Sequence, residues 1–349
     1  MDPFAQFAVA AARQAIANAD LEGLIANSQK VRDATGVMIG TGNRGQQTNE
    51  AQHSNYLNRG ARGVSPFAIP LIMPNAASGN GALLYELHGP SPAIVSACAA
   101  GLDATIAAYK ACRDGDADAM ITGGADACIT PTTVASFANM GALTKSFNYN
   151  PKAASRPFDA ARSGFVMAEG AAVIVLETLE FALARGAPIL AEVRGYGQTN
   201  DGSHITEPSV HYQARAIMKA LTNAHITPSE ITLVNAHGTS THLNDSTESW
   251  AIKAALGDYA HQVHVTSIKS MTGHPIGAAG PIELASSVLS IQHGIIPPTI
   301  NLLNPDIDGG CDLNYVANTA RHADVRVVLK ESFGFGGHNS VLVISAYQP

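Results

Sequence analysis

The chain has 349 residues, of which 46% are hydrophobic and only 14% charged, and it carries 32 glycines. This composition belongs to a heavily buried α/β protein with many tight turns, one structural unit built of two halves rather than several independent domains. A formal net charge of −7 argues against a nucleic-acid or anionic-membrane surface, although a local basic patch could still meet an acidic partner.

The opening stretch, MDPFAQFAVAAARQAIANADL, reads as an amphipathic helix rather than a signal peptide, and no apolar run approaches a membrane span. TGVMIGTG (35–42) is a short apolar run ending in glycines, the pattern of a buried strand; a polar, Gly- and Asn-rich excursion follows to about residue 64. PAIVSA (92–97) predicts a strand and AAGLDATIAAYKACRDG (99–115) a helix ending at a glycine C-cap. ADAMITGGAD (117–126) and AAVIVLETL (171–179) predict two more strands.

The second half repeats the rhythm. Strands are predicted at 188–197, 231–239 and 262–270, helices at 209–226, around 245–256 and at 277–294, and a closing hairpin at 325–333 and 339–347. Strand alternating with helix implies parallel or mixed sheets covered on both faces. About four strands fall in a first half, 1–187, and about five in a second, 188–349, a pattern that suggests internal duplication.

Cys98, in VSACAAG, stands where a strand turns into a helix. Backbone N–H groups and the positive end of the helix dipole favour a thiolate there, and Ala97, Ala99, Ala100 and Gly101 leave room for an acyl group. A packed core cysteine is the competing reading at even odds, and the better one for Cys112 and Cys128. The four cysteines, Cys311 included, form no CxxC pair and no metal-type spacing, so they read as reduced thiols of a cytoplasmic-type protein.

His237 and His274 follow strands in glycine- and hydroxyl-rich turns, NAHGTSTHLNDSTE and SIKSMTGHPIGAAG. Such turns are where ligands bind in α/β folds, though any one histidine is more often a satisfied structural residue. Lys269 lies five residues before His274 and Glu283 nine after it, an ammonium and a carboxylate able to fix the charge and orientation of an imidazole. The loop FGFGGHN (333–339) offers backbone N–H groups for an oxyanion hole; taken alone its glycines read as a tight β-turn.

Taken together, SACAAG, NAHGTST-HLNDSTE, KSMTGHPIGAAG, PPTINLLNPD, SFGFGGHN and ASRPFDAARSGFVMAEGAA (154–172) resemble the β-ketoacyl-acyl carrier protein synthases of the KAS I/II type, from residue 1 to the C-terminus and in family order. The resemblance implies a thiolase-like αβαβα layered sandwich built from a duplicated half, usually a homodimer. It implies decarboxylative condensation of malonyl-acyl carrier protein with an acyl group held on Cys98, without metal or organic cofactor and with acyl carrier protein as partner. By the same resemblance His237 and His274 form the decarboxylating pair, supported by Lys269 and Glu283. Thr239 and Thr241 hold the phosphopantetheine arm, Phe335 gates the site and shares an oxyanion hole with the Cys98 N–H, and Phe137 lines the acyl pocket. A polyketide ketosynthase of the same mechanism is the nearest alternative; a truncated, inactive dimer partner is the other, against which the retained cysteine and histidines argue.

The chain also departs from the family pattern. Asn43 and Arg44 stand where apolar residues usually face the acyl pocket, which predicts a pocket that is shorter or more polar, because a buried amide or guanidinium needs partners. His242 replaces a common proline and Glu331 a common asparagine. Family members carry a strand before the point where Met1 stands, in a central position of the sheet. The expectation is therefore that Met1 is internal to a longer protein and that the first sheet has a gap, or rearranged pairing, beside residues 35–40.

Overall fold

The computed structural model describes residues 1–348, which divide into two compact units that are not contiguous in sequence. Met1–Thr133, Glu169–Pro188 and Pro275–Ile282 make the first unit; Val134–Ala168, Ile189–His274 and Glu283–Pro349 make the second. No helix among the described residues is long and apolar enough to cross a membrane.

The first unit begins with α1 (Pro3–Asn18), capped by the Asp2 side chain, which accepts from the Phe4 N–H, with Pro3 in the first turn. Phe4, Ala5, Ala8, Ala12 and Ile16 recur at helical spacing and are buried. Strand β1 (Thr35–Gly40) is buried along its whole length, as a strand covered on both faces must be. The polar stretch after it is helical: α2 (Gln46–Arg59) has no buried residue. A helix polar on every side carries no hydrophobic period, which is why its sequence reads as a loop. Next come α3 (Ala76–Tyr85), the two-residue β2 (Ala93–Ile94), α4 (Ala100–Arg113), β3 (Ala119–Asp126), α5 (Pro131–Asn139) and β4 (Gly170–Glu177).

The sheet of this unit runs β2-β1-β3-β4. β1 is parallel to both β2 and β3, and β4 is antiparallel to β3 over eight residues. The count of four matches the sequence, but the expected gap beside residues 35–40 is not there. β1 is bonded on both sides, so no interior strand is orphaned; the edges without a neighbour in the sheet are the outer sides of β2 and β4.

The second unit holds β5 (Glu192–Asn200), α6 (Val210–Ala224), β6 (Leu233–Asn235), α7 (His242–Leu256), β7 (His264–Thr266), most of α8 (Ala279–His293), β8 (Val327–Gly334) and β9 (His338–Ser345). Its sheet order is β5-β9-β8-β6-β7. β7, β6 and β8 are parallel, β9 is antiparallel to β8, and β5 is antiparallel to β9. The first four of these from the β7 side repeat β2-β1-β3-β4 in direction and chain order. The duplication read from the sequence is therefore present in the topology, and within the five-stranded sheet β5 is the strand without a counterpart.

Glycines set how closely elements approach. A Cβ on Gly40, at the end of β1, would lie 2.1 Å from the Ala100 carbonyl oxygen, and one on Gly101 would lie 2.3 Å from that of Gly277. Because these neighbours are backbone atoms, they cannot rotate away. Gly40→Ala is expected to destabilise the protein by about 3 kcal/mol, the upper end for overpacking a core; urea unfolding measures it, and a change below about 0.5 kcal/mol, the range of an ordinary surface substitution, contradicts this account.

Candidate active site

In the first unit the chain leaves β2, and Ala97 takes φ 50, a left-handed conformation rare outside glycine. Cys98 follows in a short 3-10 turn, Ala97–Ala99, that runs directly into α4. It is only 9% exposed, among alanines and glycines. Ser96 donates to Asp103 one turn into that helix, which pins the bend. Gly101 of SACAAG is thus a structural requirement: α4 lies against β1 at Gly40 and against Gly277 at Gly101.

Beside this turn the buried Asp126 carboxylate gathers one hydroxyl and three backbone donors: Thr41 Oγ1 at 2.7 Å, Gly42 N at 2.8 Å, Asn43 N at 3.0 Å and Gly277 N at 2.7 Å. Burial raises its pKa to about 6 against these four stabilising bonds. The half-buried Asn43 side chain bonds the Cys128 thiol. Arg44 is exposed, so the expected need for buried partners does not arise for its guanidinium. Burial first of all pushes the thiols of Cys112 and Cys128 up to about 12 and that of Cys311 up to about 11. These three remain thiols at neutral pH.

The histidines belong to the second unit. Their rings stand 5.4 Å apart, edge to face at 85°. They continue a row of aromatic contacts: Phe137 to Phe165 at 5.2 Å, Phe165 to His274 at 5.3 Å, and His237 to Phe333 at 6.0 Å. His274 is held by its backbone, its N–H donating to the Val166 carbonyl at 2.7 Å while its own carbonyl accepts from Ala168 N at 3.1 Å. Lys269, 1% exposed, forms an ion pair with Glu283 and donates to the His237 carbonyl at 2.5 Å. Its Nζ also lies 3.4 Å from His237 Nδ1. An ammonium has only donors, so Nδ1 accepts and the ring proton sits on Nε2. Both imidazoles are held well below the usual histidine range, by burial first and then by Lys269. They are neutral at physiological pH.

The loop bearing His237 is fixed from α7. Glu248 accepts from the N–H groups of His237 at 2.5 Å and Gly238 at 2.8 Å; Asp245 accepts from those of Thr239 at 2.9 Å and Ser240 at 3.1 Å. The two carboxylates are three residues apart and share a helix face. Thr241 caps α7, its hydroxyl accepting from Asn244 N, and lies 2.9 Å from the hydroxyl of Thr239. Arg162, completely buried, bonds the carbonyls of Thr241 and His242, the Ser246 hydroxyl and Asp306. Phe335, Gly336 and Gly337 form the three-residue loop of the β8–β9 hairpin; both glycines have positive φ, so the tight-turn reading of FGFGGHN is correct as far as its backbone goes.

Sequence reasoning passed over Asp126, Phe165, Asp245 and Glu248. For the last two a signal was present: acids at i and i+3 just inside a helix that follows a glycine-rich turn are placed to bind the backbone N–H groups of that turn.

The profile described as "Beta-ketoacyl synthase, N-terminal domain" matches residues 1–182, and "Beta-ketoacyl synthase, C-terminal domain" matches 190–303. The chain is 47% identical to 3-oxoacyl-[acyl-carrier-protein] synthase 2 of Synechocystis sp., over 100% of this chain and 82% of that protein. It is 43% identical to the Staphylococcus aureus protein of the same name, over 100% and 83%. Among solved structures, a type II polyketide acyl-carrier protein in complex with its ketosynthase bound to the hexaketide is similar at TM-score 0.94 and 35% identity, over 99% of this chain and 85% of that one. A β-ketoacyl synthase from Burkholderia phymatum is similar at TM-score 0.91 and 34% identity, over 99% and 82%.

A histidine whose folded pKa is depressed stabilises the fold fully above about 6.5, its unfolded value, and loses that contribution as pH falls, because the unfolded ring takes up a proton that the buried ring refuses. On lowering the pH through 6.5, the ring 15N shifts of His237 and His274 are expected to stay those of neutral imidazole while folding stability falls. An imidazolium signal from either ring above pH 6 contradicts the geometry.

Proposed function

We propose that this chain, which belongs to the β-ketoacyl synthase family, carries an acyl group on Cys98 and uses His237 and His274 to release carbon dioxide from a malonyl group on acyl carrier protein. Its activity is that of a condensing acyltransferase of fatty-acid elongation: a decarboxylative condensation that lengthens an acyl chain by two carbons. In the first step Cys98 Sγ attacks the acyl thioester, and the phosphopantetheine thiol leaves with the proton that the cysteine gives up. In the second the bond between the malonyl carboxylate and Cα breaks, and its electron pair enters the thioester as an enolate. That carbanion attacks the acyl-Cys98 carbonyl and expels Sγ as a thiolate, leaving 3-oxoacyl-acyl carrier protein and carbon dioxide; a proton from solvent restores the cysteine thiol. Dividing one condensation into two easier steps is what a covalent nucleophile contributes.

The observation that carries this reading is the neutral histidine pair. His237, with Nδ1 turned to the Lys269 ammonium, presents Nε2–H as a donor to a developing enolate oxygen without a proton to surrender. Thr239 and Thr241, their hydroxyls in contact, suit the polar phosphopantetheine arm. Glu283 holds Lys269 in place. Phe137, at the far end of the aromatic row, fits a lining residue of the acyl pocket. Phe335 keeps its assignment as a gating residue on the hairpin loop.

Acyl carrier protein as partner is supported by the neighbour solved with its own carrier protein. A homodimer in the cytoplasm follows from the family resemblance and the reduced-thiol pattern. Polyketide synthesis is the second reading, favoured by the type II polyketide ketosynthase at 35% identity; the 3-oxoacyl-[acyl-carrier-protein] synthase 2 relatives stand at 43–47%.

Incubation with acyl-acyl carrier protein is expected to add one acyl mass, mapped to Cys98. Label on Cys112 or Cys128 with Cys98 unmodified overturns the assignment. Replacing His237 or His274 by Ala should leave that loading measurable while carbon dioxide release from malonyl-acyl carrier protein falls by about 10²-fold or more, the scale of a lost acid–base or oxyanion group. Decarboxylation undiminished in both variants rules out the roles given to the rings.

A further inference from the structure

One buried group has no part in the chemistry above. Glu331, on β8, is completely buried, and no N–H or hydroxyl donor of the described residues reaches either of its side-chain oxygens. What it faces is the carboxyl group of Glu248, near enough for one carboxyl to donate to the other when it carries a proton. Its neighbour Lys330 does not serve it: the Lys330 ammonium is 2.7 Å from Glu283 Oε2 and donates to the backbone carbonyl of Glu331 instead.

Two carboxylates in contact away from water cannot both be ionised, because neither repulsion nor desolvation is relieved. Only one of the pair has a reason to keep the charge. Glu248 accepts from two backbone N–H groups and, at 3.2 Å, from the Asn244 amide. Glu331 has none of these. Counting the charged groups gives the same answer. Lys269 and Lys330 are two buried cations, Glu283, Glu248 and Glu331 three buried acids, and His237 and His274 are neutral. One retained proton brings that set to zero.

We propose that Glu331 is a positioning residue: it stays protonated in the folded protein and donates its carboxyl O–H to Glu248, fixing the carboxylate that holds the backbone of His237 and Gly238. Its influence on decarboxylation, which rests on the role given above to His237, then passes through Glu248 and the loop. Burial and the adjacent Glu248 hold the Glu331 acid well above the ordinary carboxylate range, with Lys330 opposing. The other charged groups packed around the pair are Asp245 and Arg162 on the far side of the loop and Lys269 and Glu283 beneath His237.

The test is a pair of variants read two ways. Glu331→Gln keeps a donor toward Glu248 but cannot ionise. Glu331→Ala removes the donor. With intact protein, Glu331→Gln is expected to retain decarboxylation within about 3-fold, and Glu331→Ala to lose about 10-fold or more, the scale of one charge-assisted hydrogen bond. Acylation of Cys98 should be unchanged in both. Infrared difference spectra, wild type minus Glu331→Gln, should show the carbonyl stretch of a protonated carboxylic acid at pH 7 that persists at pH 8. That band is read without turnover, so it stands or falls apart from the condensing activity and also where Glu331→Ala fails to fold. Absence of the band overturns the proposal, as does equal loss of decarboxylation in Glu331→Gln and Glu331→Ala. A rise in activity with added potassium or magnesium that Glu331→Gln abolishes also overturns it, since a bound cation would then do the work assigned to the proton.

Discussion

Four successive backbone N–H groups, from His237 to Ser240, end on two carboxylates one helical turn apart. A glycine-containing turn between a strand and a helix would otherwise be free to choose among several conformations, and its donors would need water. Asp245 and Glu248 remove both freedoms at once. The bonds are charge-assisted and buried, the stronger kind. They also decide where the rest of the site can be. With the N–H of His237 turned to Glu248, its carbonyl turns to Lys269, and the ammonium that satisfies this carbonyl is the one that reaches the ring nitrogen. Backbone direction and side-chain tautomer are thereby set by one loop conformation.

That arrangement places buried ammonium groups where a histidine would be expected to gain a proton partner, and the consequence runs the other way. Lys269 and Lys330 make protonation of His237 and His274 still less favourable than burial alone does. A cationic ring would attract the malonyl carboxylate and stabilise the ground state from which carbon dioxide must leave. In the role proposed for it, a neutral ring offers its donor chiefly to the charge that develops on the thioester oxygen. Binding the transition state more tightly than the substrate is the condition for acceleration. The cost is a set of buried cations that need counter-charges, and Glu283 supplies the largest part by meeting both.

Much of this was legible from the sequence, for an uneven reason. The residues proposed to carry chemistry sit in short motifs whose spacing reflects a single turn, so Cys98, His237, Lys269 and His274 stand out by local pattern. The supporting acids Asp245 and Glu248 belong to the same motif as His237, and their spacing of one turn just inside a helix is their only local sign, because their partners are backbone groups. Asp126 is the extreme case: its donors come from residues 41–43 and from Gly277, sequence separations that only the fold closes. Helix α2 escaped because periodicity detects burial, and it buries nothing. Arg44 misled in the opposite way, since a loop position says nothing of where a long side chain points.

Strand pairing was the other limit. The alternation of strands and helices gave the number of strands in each main sheet, but number does not fix order, and the two main sheets differ at the rim. The two sheets show why the rim tolerates the difference. In the second unit β5 lies outside β9 and carries the exposed Glu192 and Arg194, charged residues of the kind that discourage further pairing. In the first unit the corresponding position outside β4 is open, and β4 reads GAAVIVLE, with no charge before Glu177, which is itself paired to Arg185. Ala171, Val173 and Val175 pack toward the α1 core and Leu176 toward α4, so both faces of the strand are covered while its edge is not. An interior strand without a neighbour would bury unpaired N–H and C=O groups at about 1–3 kcal/mol each. An edge strand leaves the same groups to water at little cost. The four-stranded sheet is therefore compatible with a stable unit, and the penalty moves from folding free energy to an apolar edge without the guard that β5 carries.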